Sequence, residues 1–253
     1  KTKVIFLGTN GWYTTPTGNT TCILLDTPQA YVILGAGNGI YMVDEFIKDT
    51  KKPIYLFLSH FHLDHIIGLH TLNKFKFSQG YTICCYKGGQ KILNSFMRQP
   101  FTVALKHLPT KVIVREIQSG YLKGFPFKVQ ALDLKHSSKC FGYRFELDGQ
   151  TITYCTDTGL CDNAYVLARQ TDLLIAECAY VSGQQVASWP HLNPEQAGQL
   201  ALDSQAKRLA LMHFDAFNYQ KLDKRKDALK AAKKIFPRTI VTKDRFSLEL
   251  KHA

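Results

Sequence analysis

The sequence predicts an α/β fold in which sheets are covered by helices. Short apolar runs of strand length recur in both halves of the chain, and helical stretches near 193–206 and 221–235 are interleaved with the strands of the second half. Composition agrees: 45% of the 253 residues are hydrophobic and 21% charged, as in an ordinary globular protein. A chain of this length can bury a sizeable core, and no low-complexity linker divides it, so one domain spanning 1–253 is expected.

The elements follow in order. Lys1-Thr2-Lys3-Val4-Ile5-Phe6-Leu7-Gly8 starts basic but turns at once into a strand over 3–8 and a glycine turn, without the apolar core of a signal peptide. Strands near 21–26, 30–34 and 54–58 come next, then a polar loop and a helix starting near Asp64. Lys87-Gly88-Gly89-Gln90 reads as a turn into a short helix, because paired glycines without a following Lys-Ser or Lys-Thr do not make a phosphate loop. The second half brings strands near 127–134, 140–147, 151–155, 173–178 and 208–212. Asn193 is a good helix N-cap, Pro194 suits the first turn and Gln196 completes a capping box, which starts the helix over 193–206. Leu222, Leu229 and Ala232 give the stretch 221–235 an amphipathic pattern.

Some function classes are disfavoured early. No run of about 18 apolar residues is present, so no membrane span is expected. A cytoplasmic location follows as the expectation. The chain opens on Lys1 and not on methionine, which leaves room for an upstream start or a cleaved leader. Seven cysteines, an odd number without a C-x-x-C pair, argue against a disulfide scaffold and for thiols that fill the core as small hydrophobes. The net charge of +12, from 32 Lys and Arg against 20 Asp and Glu, favours anionic partners. Much of it lies in 221–234, where a solvated helix face accounts for it better than a nucleic-acid footprint.

The strongest chemical signal is Ser59-His60-Phe61-His62-Leu63-Asp64-His65, directly after Ile54-Tyr55-Leu56-Phe57-Leu58. Four ligand-type side chains in six residues would be costly to crowd together without a cation. If the strand direction continues, alternation sends His60 and His62 to one side, while Asp64 and His65 sit where the chain turns toward a second centre. Imidazole suits zinc and other borderline metals, and a carboxylate can complete or bridge a pair. Three more candidates stand at strand ends: His136 after Val129–Lys135, Asp157 after Ile152–Thr156, and His213 after Leu209–Met212.

In H-x-H-x-D-H after a strand, and in the order of these seven residues, the chain resembles the metallo-beta-lactamase superfamily over nearly its whole length. The resemblance implies an αββα sandwich, two packed mixed sheets flanked by helices, with metals in a cleft along one edge. It implies two divalent ions, zinc first with manganese or iron as alternatives. His60, His62 and His136 would hold one, Asp64, His65 and His213 the other, and Asp157 would bridge them.

The flanking residues narrow the branch. Thiolester hydrolases and lactamases of the superfamily usually have P-G-H-T at the third metal histidine, where this chain has His136-Ser137-Ser138-Lys139. His62 stands where flavodiiron oxygen reductases commonly carry glutamate. The match is to the phosphodiesterase branch, which includes ribonuclease Z and cyclic-nucleotide phosphodiesterases. Trp189-Pro190-His191-Leu192-Asn193-Pro194-Glu195 resembles the histidine loop of ribonuclease Z-like enzymes, so His191 is expected to bind the scissile phosphate or protonate the leaving oxygen. Asp64 is expected to orient the nucleophile as well as ligate.

Departures from ribonuclease Z shape the substrate expectation. Only 20 residues separate His136 from Asp157, too few for the long transfer-RNA-clamping arm of the processing enzymes. The first loop, Gly8 to Thr20, lacks the basic residues of P-x-K-x-R-N; Ala176 replaces the histidine of H-E-A-T while Glu177 remains; and Gly35 stands where relatives often carry an aspartate that supports the metal loop. The expected reaction is hydrolysis of small cyclic or nucleotide-derived phosphodiesters by a hydroxide held between the two metals. The competing expectation is a ribonuclease Z-like endoribonuclease with RNA as partner, and a homodimer would add contacts beside the cleft. A binding protein with a relic metal site is disfavoured because all seven ligands remain.

Overall fold

The computed structural model describes residues 1–250. The strands of the first half are β1 (Thr2–Gly8), β2 (Asn10–Gly11), β3 (Cys22–Asp26), β4 (Tyr31–Leu34), β5 (Ile54–Phe57), β6 (Tyr81–Tyr86) and β7 (Val112–Ile117). They continue with β8 (Gly120–Leu122), β9 (Lys128–Asp133), β10 (Phe141–Leu147), β11 (Gln150–Cys155), β12 (Leu173–Glu177), β13 (Leu209–Met212), β14 (Phe214–Asp215), β15 (Thr239–Val241) and β16 (Ser247–Leu250). The α-helices are α1 (Leu63–Ile66), α2 (Gly89–Phe96), α3 (Asp162–Ala168), α4 (Pro194–Asp203) and α5 (Leu222–Ile235).

One seven-stranded sheet has the order β16-β1-β3-β4-β5-β6-β7, the other β15-β13-β12-β11-β10-β9-β8. Both are mixed. β4 through β7 are parallel, as are β11, β12, β13 and β15, whereas β1, β3, β9 and β10 pair antiparallel with their neighbours at the other margins. The buried apolar residues sort into three layers, as the expected αββα sandwich requires. Val4, Phe6, Val32 and Phe57 of the first sheet meet Tyr143, Phe145, Tyr154 and Ile175 of the second in a central layer. Ile5, Leu24 and Leu56 pack outward under the helical segments of the first half, and Leu174, Leu209 and Leu211 pack outward with Leu167, Leu200 and Ala232 of the helices. The alternation of strand side chains between faces produces this sorting. Phe57 lies within 5.2 Å, centroid to centroid, of both Tyr143 and Phe145, so it ties the two sheets directly beneath the loop that follows β5.

The expected elements form, with boundaries displaced by a few residues at most. Among the described residues, seven strands were not expected, β2, β6, β7, β8, β14, β15 and β16, and with them the short helix α3. The reason is visible in β16, whose Ser-Leu-Glu-Leu pattern is weak alone but pairs in register with β1, Thr2 opposite Leu250. Long-range pairing, not local propensity, makes it a strand. In α5 the expected apolar face is corrected: Leu222 is exposed, and Arg225, Ala228 and Ala232 are the buried positions. The cysteines behave as expected, all free and six of the seven buried. No helix among the described residues is long and apolar enough to cross a membrane.

Candidate metal centre

Strand direction builds the site. β9, β11, β12 and β13 run the same way, since β9 and β11 are both antiparallel to the strand between them. Their C-terminal ends deliver His136, Asp157, Glu177 and His213 to one edge, and the loop after β5 brings His60, His62, Asp64 and His65 to the same place. All seven expected metal-ligand residues are therefore brought together, and His191 joins them from the loop before α4.

The ligand-type atoms form two overlapping groups. His60, His62, His136 and Asp157 each offer an atom within 4.8 Å of the others, and so do Asp64, His65, Asp157 and His213. Asp157 belongs to both. Its Oδ2 lies 3.7 Å from His60 Nε2 and 3.8 Å from His136 Nε2, while its Oδ1 lies 3.0 Å from His65 Nε2 and 3.1 Å from His213 Nε2. In the first group His62 Nδ1 is 3.1 Å from His136 Nε2; in the second, Asp64 Oδ2 is 3.2 Å from His213 Nε2.

Two of these residues sit in backbone conformations that L-residues seldom adopt: Asp157 has φ 52° and His213 φ 53°. Such positions cost on the order of 1 kcal/mol each and persist where the surroundings fix them. Here the strand-end geometry does so, and β14 immediately after His213 pairs with β2, Asp215 opposite Gly11. Gly11 packs so closely that an added Cβ would stand 2.5 Å from His213 Cε1. Beside it, the backbone N–H of Trp12 donates to Asp64 Oδ2 at 2.9 Å.

Electrostatics suit a cation. Burial pushes His60 well below the usual imidazole value, aided by His65, and burial likewise lowers His62 and His136, which favours the neutral form that a metal would require. Burial works against ionisation of Asp64 and Asp157, but His65 and His213 outweigh it, and both carboxyls titrate below the usual range. Burial also lowers His213, yet Asp157 and Asp64 bring it up to about 10. A proton on His213 thus does in part what a divalent cation would do for the carboxylates, and ligation must displace it. Buried His60 Nε2 has no hydrogen-bond partner although it points among donor atoms of its group, which is the position of a ligand nitrogen. The donor set therefore fits a metal site.

Support around the rings is uneven. His60 Nδ1 pairs with Ser59 Oγ at 3.0 Å, and Thr156 Oγ1 donates to Asp157 Oδ1 at 2.8 Å. His65 Nδ1, His136 Nδ1 and His213 Nδ1 are buried without a hydrogen-bond partner. At Gly35 the chain approaches His65 through the backbone, Ala36 N–H donating to His65 O at 2.8 Å, and offers no side-chain acceptor.

His191 is placed by two features. The capping box forms as expected: Asn193 Oδ1 accepts from Gln196 N–H, and Gln196 Oε1 accepts from Asn193 N–H. Glu177, fully buried at the end of β12, accepts from His191 Nδ1 at 2.7 Å and also takes the backbone N–H groups of Thr158 and Ala179. Burial lowers the His191 titration point, but the charge and hydrogen bond of Glu177 more than compensate, and the net movement is upward. His191 then keeps its proton further toward neutral pH than a free imidazole. Sequence reasoning placed Glu177 in a motif without giving it this partner; its position at a strand end was the available signal.

A cavity of about 660 Å³ opens over the centre, lined among others by Asp64, Asp157, His191, His213, Trp12 and Trp189. Trp189 lies parallel to the His62 ring at 5.7 Å, with 11° between planes. Sequence reasoning noted Trp189 only as part of the His191 loop and gave neither tryptophan a role of its own.

Comparison with known proteins agrees with this geometry. The model of the beta-lactamase superfamily domain matches residues 42–214. Ribonuclease Z of Bacillus thuringiensis (strain Al Hakam) is 26% identical over 243 residues, covering 75% of this chain and 78% of the relative. Among solved structures, the metallo-beta-lactamase fold protein YhfI from Bacillus subtilis superposes with a TM-score of 0.82 at 22% identity, covering 98% of each chain. The short form of human tRNase Z gives 0.77 at 20% identity, covering 99% of this chain and all of the other. On the family match, the ordered cluster and the shared fold, the chain belongs to the beta-lactamase superfamily as a metal-dependent hydrolase, and it is similar to ribonuclease Z.

Proposed function

We propose that this centre hydrolyses small phosphodiesters, cyclic or nucleotide-derived. The observation that supports it best is the Glu177-held His191 beside a seven-residue His and Asp cluster in one open pocket. His60, His62 and His136 would hold one divalent ion and Asp64, His65 and His213 the other, with Asp157 between, zinc being the best fit to these donors and manganese or iron the alternatives. Such ions supply Lewis acidity toward phosphoryl oxygens and lower the pKa of water.

The chain's own residues do the rest. Asp64, fixed by the Trp12 N–H, orients the attacking water through its carboxylate. His191, with Nδ1 committed to Glu177, presents Nε2 as the proton donor to the leaving oxygen, and its charge favours the developing negative charge on phosphate. The unequal roles follow from surroundings: burial lowers His60, His62 and His136 toward the neutral form, whereas the Glu177 carboxylate favours a proton on His191.

The competing reading is transfer-RNA 3′ processing, the activity that the names of the ribonuclease Z and tRNase Z relatives suggest. Against it stands the chain between His136 and Asp157. It is consumed by the β10–β11 hairpin, closed by a two-residue turn with Asp148 at φ 50° and Gly149 at φ 70°, so no residues remain for an RNA-gripping arm. The test compares cyclic nucleotides, short linear dinucleotides, bis(p-nitrophenyl) phosphate and precursor transfer RNA under one set of conditions. Small diesters are expected to turn over faster than the precursor. Efficient cleavage of the precursor at its 3′ boundary at physiological salt, with small diesters barely touched, would replace this reading with the polymer-processing one.

A further inference from the structure

Both tryptophans of the chain stand at the pocket above the cluster. Trp12 is 64% exposed and Trp189 48%, and Tyr13, edge-on to Trp12 at 5.2 Å between ring centroids, is 41% exposed. Large aromatic faces left in water at a cleft mark a place where something binds. Trp12 carries a second cost, since its φ of 72° lies in the left-handed region, an outlier for a bulky side chain. Glycine would remove both costs.

Each tryptophan is also tied to a different part of the cluster. The backbone N–H of Trp12 donates to Asp64 Oδ2, and β2 just before it pairs with β14 just after His213. Trp189 stacks parallel to His62 and lies 6.0 Å, centroid to centroid, from His136. A ligand whose phosphate sits at the cluster therefore has flat aromatic surface within reach of both groups of ligands.

The remaining lining selects the chemistry. Among the described residues its aliphatic side chains are Leu63 and Ala179, too little for a lipid tail, and none of the described Lys or Arg residues lines the pocket to neutralise a polyphosphate. Asp215 adds a carboxylate that can accept from amino or hydroxyl groups. Flat rings with an acceptor nearby match a nucleoside, because every base offers a π-face and polar edges.

We propose that Trp12, Tyr13 and Trp189 form a stacking subsite for a nucleobase, so that the phosphodiesters taken by this centre carry a nucleoside arm. The proposal rests on the phosphodiester reading above. It is tested by titrating the metal-loaded protein with AMP, ribose 5-phosphate and adenosine while following tryptophan fluorescence, in the parent and in Trp12→Ala and Trp189→Ala, each of which keeps one indole as reporter. AMP is expected to quench fluorescence and to bind about 100-fold tighter than ribose 5-phosphate, and each variant to lose about tenfold in AMP affinity, a change of about 1.4 kcal/mol. Circular dichroism and metal content check that the variants fold and stay loaded. If ribose 5-phosphate binds and AMP gains nothing over it, or if both variants bind AMP like the parent, the subsite is overturned while the phosphodiester reading stands. If adenosine binds with quenching as tightly as AMP and ribose 5-phosphate does not bind, the subsite is upheld and the phosphate reading falls.

Discussion

His191 donates from Nδ1 to Glu177 Oε1 at 2.7 Å, and that one carboxylate also takes the N–H of Thr158 at 2.8 Å and of Ala179 at 3.1 Å. Glu177 is completely buried, so the ring it orients has little freedom to turn. A histidine held in this way has a defined nitrogen facing the pocket and a proton stabilised by a fixed negative charge.

Replacing Glu177 with Gln should therefore alter pH dependence as well as rate. The folded His191 value is raised, so its protonated form is full at low pH and is lost as pH rises through that value. Gln removes the charge of Glu177, the larger upward influence, and leaves burial, which lowers the value, against the weaker upward pull of Asp157. The alkaline limb of the pH–rate profile should move to lower pH, and kcat should fall about 100-fold. An unmoved limb would mean that His191 is not the proton donor.

Asp157 offers one oxygen to each group of histidines, so its loss should affect both positions at once. Elemental analysis of the parent, purified without added metal, is expected to find about two ions per chain, and Asp157→Ala fewer than about one. His191→Ala should retain the parent's content. Equal metal in Asp157→Ala and the parent would remove Asp157 from the bridging position.

Gly11→Ala places a methyl group 2.5 Å from His213 Cε1, against a ring whose neighbouring Nε2 is held by Asp64 and Asp157. Relief requires moving β2 or the ring, at a cost of about 1–3 kcal/mol. kcat/KM is expected to fall at least about tenfold with little change in secondary structure by circular dichroism. Full activity would show that β2 can retreat without disturbing His213.

Arg225 is buried within α5 and donates to Thr9 Oγ1 at 2.8 Å, to Thr242 O at 3.0 Å, and to Asn10 Oδ1 and Thr17 O, with its guanidinium 4.5 Å over the Phe214 ring. These contacts hold the segment that presents Gly11 and Trp12. Arg225→Ala should cost about 3 kcal/mol, read as a lower urea midpoint at unchanged slope, because buried acceptors lose a charged partner. Arg225→Lys should recover little of it, since an ammonium cannot reach several acceptors in a plane. A change under about 1 kcal/mol in the Ala variant would show that the acceptors find other donors.

The sequence made the centre unusually legible. His60, His62, Asp64 and His65 crowd one short loop, and His136, Asp157 and His213 each follow a stretch that reads as a strand. The capping box at Asn193 announced where His191 would project. Trp12 and Trp189 gave no such signal, because an exposed aromatic carries no periodicity and its meaning depends on what stands opposite. Arg225 read as one more surface charge in a basic helix, while Leu222 read as buried; the reverse holds, since the space below α5 is filled with hydroxyl, amide and carbonyl oxygens.

By itself the sequence determined which side chains can ligate and which strands carry them, because ligand chemistry is fixed by residue type and strand identity by local alternation. Tertiary structure alone decided that β2 lies against β14, that the edge strands β7 and β16 exist, and that Glu177 meets His191. Those relationships join residues far apart in the chain. Their stability comes from pairing, burial and charge that appear only once both sheets are packed, so no local window of sequence contains them.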